Sequence, residues 1–123
     1  MLDVTLEEVR RDALTLPRSY EALVRGRVKF RVQQMVYLSA SQDETLLGFA
    51  FPKDERAALV ESEPDKFILP KSSDMRFHWA VVRLAAIDLD EMGAIVFQAW
   101  RMVVPKFLAR EVAVQRGIEL IDN

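Results

Sequence analysis

RVKFRVQQMVYLSASQDETLLGFAF, residues 27 to 51, is the stretch whose reading decides the fold. Its first six residues alternate without a break. Successive side chains of a strand point to opposite sides, so Arg27, Lys29 and Arg31 share one face and Val28, Phe30 and Val32 the other. A short Gln33-Gln34 connection leads into MVYLS, and a tight hairpin there sets Phe30 opposite Tyr37 on the core face. SQDE reads as a polar turn, and TLLGFAF as a further strand with Leu47, Phe49 and Phe51 facing one way. The other face of that strand, Leu46, Gly48 and Ala50, is small enough for a helix to lie close.

Upstream, Thr5 and Glu8 have capping-box spacing, which satisfies orphan amides at a helix start. Leu6, Val9, Ala13 and Leu14 recur on one face of that helix, Pro17 stops it, and strand signals run from Tyr20 onward. Downstream, Pro52 opens a short helix with Asp54 and Glu55 in its first turn, Ala58 and Leu59 on its apolar side, and Glu63-Pro64 at its close. Residues 65 to 77 read as a loop with an apolar island from Phe67 to Leu69. HWAVVRL is a last strand with Trp79, Val81 and Arg83 on one face. Asp88 to Glu91 has the spacing of an N-cap and its third helical residue, and starts a long helix. Leu89, Met92, Val96, Ala99, Trp100 and Val103 form its core stripe. Ile95, Phe97 and Met102 fall outside the stripe, which calls for cover by the C-terminal segment or by a second copy of the chain. The order predicts one α+β domain over residues 1 to 123: a two-layer α/β, antiparallel sheet with helices packed on one face, of α-β(3)-α-β(2)-α kind, ending in a helical tail over residues 110 to 123.

Composition narrows the chemistry. With no cysteine among 123 residues, disulfides, thiolate metal sites and a cysteine nucleophile are excluded together. A single histidine removes two-histidine metal motifs. The four glycines are too scattered to cradle a phosphate, and no serine has a glycine-flanked elbow. His78 has no carboxylate near in sequence to orient it, and helix capping accounts for two of the three acids in the possible metal cluster Asp88, Asp90 and Glu91. The expectation is a protein that is not an enzyme and takes no cofactor and no metal. The opening MLDVTLEEVRR lacks the pattern of a secretory leader, and the most apolar stretch, Met92 to Val104, is interrupted by Gln98 and Arg101. A cytoplasmic protein without a membrane partner is expected.

Charge distribution is the one uneven feature. The formal net charge is −2, yet Arg18 to Arg31 holds five bases against one acid and Trp100 to Arg116 four against one, while Gln42 to Ile68 holds seven acids against three bases. Cations at alternate positions of one strand stand about 7 Å apart, a spacing that can follow a phosphate backbone. The competing reading is a solvated sheet face whose cations discourage edge pairing. Phe30 and Tyr37 fall on the face away from these cations, which weakens the reading of a sheet that stacks RNA bases and leaves phosphate contact from hairpin or wing-like elements.

The runs VKFRVQQMVYLS, FPKDERAALVESEPDKF, HWAVVRL and DLDEMGAIVFQAWRMVVPKFLA, in this order over residues 5 to 109, resemble the MmcQ/YjbR-like proteins. The resemblance implies a two-layer fold of the secretion-chaperone-like kind and DNA binding through a double-wing arrangement of hairpins. Phe30-Arg31-Val32, Trp79 and Lys106 after Pro105 match the family's recurrent positions, with Arg31 and Lys106 placed to touch phosphate and Phe30 and Trp79 in the core. Gln33-Gln34 stands where the family has a glycine-rich turn, and His78 where it has glycine before the tryptophan. The leading expectation is weak DNA binding through phosphates, with Arg27, Lys29 and Arg31 central and Arg25, Lys106 and Arg110 beside them if the fold brings them together. The alternative is a chaperone-like or homodimeric protein-interaction module that uses the last long helix and has no nucleic-acid role. A third is a small-ligand pocket between sheet and helices near Trp79 and the Phe67 loop.

Overall fold

The computed structural model describes residues 2 to 120. Helix α1, Leu6–Ala13, starts on the full capping box: Thr5 accepts from the Glu8 amide and Glu8 accepts from the Thr5 amide. Four strands follow, β1 (Ser19–Val24), β2 (Arg27–Val32), β3 (Met35–Ala40) and β4 (Leu46–Ala50). Helix α2 is Arg56–Ser62, β5 Phe67–Ile68, β6 Trp79–Arg83, α3 Leu89–Arg101 and α4 Lys106–Arg116, with short 3-10 turns at Ser72–Asp74 and Leu84–Ala86. The sheet order is β1-β2-β3-β4-β6-β5, antiparallel throughout.

Two strands go beyond the expected pattern. β1 pairs with all of β2, Ser19 opposite Val32 and Val24 opposite Arg27, around a two-residue turn in which Arg25 (φ 52°) and Gly26 (φ 78°) both take positive φ. That turn matches the right-handed twist of the flanking strands. β5 is a two-residue edge strand on β6 inside the segment read as a loop.

The β2–β3 register also differs. Phe30 lies opposite Leu38 and Arg31 opposite Val36, so Tyr37 is the extra residue of a bulge and does not face Phe30. The bulge turns Tyr37 and Leu38, adjacent in sequence, both into the core. The Tyr37 hydroxyl is 2.5 Å from Ser19 Oγ, and burial pushes its pKa up to about 12.

The core lies between one sheet face and the helices. Phe30, Leu38, Leu47, Phe49, Ala80 and Val82 meet Val9 of α1 and Val96, Phe97 and Trp100 of α3. α3 packs over β3 and β4, and α1 packs against α3 and β1. The Trp100 indole donates to the Pro17 carbonyl at 3.0 Å, and Arg10 ties α1 to β1 through Glu21 at 2.7 Å.

Helix stripes depart from the sequence reading at four places. Leu14 and Leu89, assigned to apolar stripes, are exposed, as is Ala58 of α2. Phe97, assigned outside the stripe, is 1% exposed and packs on Trp100 with ring centroids 5.8 Å apart. The cover that widens the stripe is internal, since Leu108, Ala109, Val112 and Ala113 of α4 join the same buried cluster. α4 begins at Lys106 and is more than a tail.

Arg116 fastens α4 to α1, reaching Thr15 Oγ1 at 2.7 Å and Asp12 Oδ1 at 3.5 Å. Asp12 Oδ2 is buried with no hydrogen-bond partner among the described residues. Burial therefore raises the Asp12 pKa, and the opposing pull of Arg116 does not cancel it. An acid with a raised folded pKa contributes stability below its unfolded value, lost as pH rises through the folded one. In urea titrations, the stability of the wild type relative to Asp12→Asn should accordingly fall as pH rises from about 4. A relative stability that rises over the same range would mean that the Arg116 pairing outweighs burial.

Candidate functional site

The face opposite the helices carries a groove of about 870 Å³. Register fixes its floor: Lys29 faces Ser39, Ser39 faces Gly48, Gly48 faces Val81, and Val81 faces Ile68. Arg27 lies two residues before Lys29, and Trp79 two before Val81, so both stand on this face by strand alternation. Lys29 and Trp79 are separated across the sheet by three strand spacings, about 14 Å. The atoms nearest above Gly48 do not belong to a helix. The Trp79 indole crosses it instead: a Cβ on residue 48 would come within 2.6 Å of Nε1, 2.7 Å of Cζ2 and 2.8 Å of Cε2. Trp79 is thus a half-buried residue of the open face, and the cavity beside it lies over that face, bordered at one end by Met102 and Val103 after α3.

The far wall is the segment from Leu69 to His78. Arg56, the buried residue of α2, holds it. One terminal nitrogen donates to the Phe77 carbonyl at 2.8 Å and the Trp79 carbonyl at 3.3 Å, while the other donates to the Met75 carbonyl. One guanidinium thus gathers three alternate carbonyls, which suits its fixed fork of donors. His78 Nδ1 accepts from the Lys53 amide at 3.0 Å, giving the only histidine a structural partner.

Electrostatically the groove is asymmetric. Its lining includes Arg27, Lys29 and Lys71 but a single acid, Asp74. Among the described residues no carboxylate pairs with Arg25, Arg27 or Lys29. Arg25 sits in the hairpin turn beyond them. Arg31 differs: it is half-buried, and its Nε is shut from solvent without a hydrogen-bond partner among the described residues. Lys106 and Arg110 belong to α4, on the helical layer, and neither lines the groove. Asp88 caps α3 through the Glu91 amide at 2.8 Å, and Glu91 pairs with Lys66 at 2.7 Å. Among the described residues no group of three potential ligands is placed to hold a metal ion.

Sequence reasoning found the cations and missed Arg56 and the Trp79–Gly48 contact. A glycine on the small face of β4 was the available signal. Its partner is a long-range neighbour that only the β4–β6 pairing supplies.

A sheet covered by helices on one face and open on the other defines a two-layer α+β fold. The YjbR family model matches residues 14–102, and the chain belongs to the YjbR family. Its fold is that of the crystal structure of Deinococcus radiodurans protein DR2400, family-model domain DUF419, at TM-score 0.71 and 17% identity, covering 95% of this chain and 91% of that one. No curated protein matches the chain. No helix among the described residues is long and apolar enough to cross a membrane.

Proposed function

We propose that this YjbR-family protein binds nucleic acid through backbone phosphates, using the β1–β2 hairpin and the adjoining open face. The observation that carries the reading is the set Arg25, Arg27 and Lys29, without a carboxylate partner among the described residues, the last two lining a groove with a single acid. Cations left without carboxylates are available to phosphates, and each contact releases condensed counterions. Arg31 backs the set from the buried end of the same strand, and Lys106 and Arg110 lie outside it. A chain of net charge −2 lacks a long-range pull on a polyanion, so binding is weak and local.

Fluorescence anisotropy of a labelled oligodeoxynucleotide tests this. Three phosphate contacts give a slope of about −2.1 to −2.7 in log K against log salt, roughly a 20- to 40-fold loss between about 50 and 200 mM. Alanine at Arg25, Arg27 and Lys29 together should abolish most of that slope. Binding that is unchanged in the triple variant, or absent in the wild type at the lower salt, overturns the proposal.

A further inference from the structure

We infer that the Trp79 half of the groove is a stacking platform for an unpaired base, so that the ligand is a single strand and not a duplex. The inference rests on the phosphate reading above and adds what the other end of the groove does. Trp79 and the cations Arg27 and Lys29 line one continuous groove on one sheet face. Proteins that hold single strands combine these two elements, a cationic track and an aromatic face on which a base lies. The separation of about 16 Å between Lys29 and Trp79, three strand spacings across the sheet and two residues along it, exceeds a single nucleoside and asks for a short strand. A base within a duplex is paired and stacked on both sides, and offers no free face to an indole.

The platform is also held in advance. Gly48 lets the indole lie against the sheet backbone, because any larger residue would put a Cβ within 2.6 Å of Nε1. The Arg56 guanidinium fixes the Phe77 and Trp79 carbonyls, and with them the wall that carries both aromatic rings. Arg76 lies 4.7 Å over the Phe77 ring, adding positive charge at that end. Charge complementarity selects a phosphate-bearing occupant over a neutral one, since three lining cations face one acid.

Oligothymidylate and a hairpin duplex of equal nucleotide number, titrated at low salt and read by tryptophan emission and by anisotropy, give the test. Trp100 is fully buried in the core, so quenching by a ligand stacked on this face reports Trp79. The expected result is that the single strand quenches emission and that Trp79→Leu weakens its binding about 5- to 100-fold, while duplex binding and the salt slope are unchanged. Gly48→Ala, which keeps every charge but displaces the indole, should produce the same selective loss. Unfolding curves for both variants separate loss of the platform from loss of the fold, and the wild-type quench stands should either fail to fold. Equal affinity for strand and duplex, or a Trp79→Leu variant that binds the strand as wild type does, overturns the stacking inference while a retained salt slope leaves the phosphate reading standing. Absence of binding to either probe at low salt overturns both.

Discussion

Arg56→Met should lower the stability of the fold by about 2–4 kcal/mol, read from urea unfolding, and should do so mainly by releasing the segment from Met75 to Trp79. Two effects oppose. Methionine fills most of the volume and removes the cost of a buried cation, which alone favours the variant. Against that, hydrogen bonds from a charged donor are worth about 1.5–3 kcal/mol each, and three carbonyls lose theirs together. These acceptors are neutral backbone carbonyls that persist when the cation goes and are left without their donors, so the loss dominates. It stays below the full sum because Phe77 and its neighbours are exposed and their carbonyls regain some water. Hydrogen exchange should accelerate at Phe77 to Trp79 before it does in β3 or β4. A loss under about 0.5 kcal/mol would show that the guanidinium does not hold this wall.

Phe97→Ser should cost more, about 3–5 kcal/mol. The ring is 1% exposed and lies against Trp100, so truncation opens a cavity and places a hydroxyl where it finds no partner. Read from sequence, the same residue belongs to a surplus apolar surface whose polar substitution leaves stability alone and alters association. Urea unfolding and sedimentation of one variant separate the two readings. A stability change under about 1 kcal/mol would return Phe97 to the surface.

The difference at Phe97 shows where sequence reading reached its limit. A stripe drawn at helical period assumes one covered side, and the fold of α4 back onto the core covers a second. Nothing local to residues 89 to 101 encodes that contact. β1 was faint for a related reason: as an edge strand it keeps Leu23 and Tyr20 exposed, so its apolar alternation is weak. The bulge at Tyr37 depends on how β2 and β3 settle against each other, and shifts the pairing by one residue without a mark in either strand. By contrast, the alternation of Arg27 to Val32, the Thr5–Glu8 box and the Asp88 cap are local and read correctly, because each is decided within a few residues.

The site divides the same way. Arg27 and Lys29 were legible as cations on one face of β2. That Trp79 stands on that face with them was not, because it depends on β6 joining β4 across the intervening α2 and β5. The small side of β4 was seen, and a helix was expected there. An indole from the next strand meets the same requirement for little bulk, and leaves the sheet open to a ligand.

The most direct test of the central claim, that the open face is the binding surface, is an amide chemical-shift map of the protein titrated with oligothymidylate at low salt. The largest shifts should fall on Arg27, Lys29, Ser39, Gly48, Trp79 and Val81, with α4 unmoved. Shifts confined to α1, α3 and α4, or a spectrum that does not change at all, would contradict it.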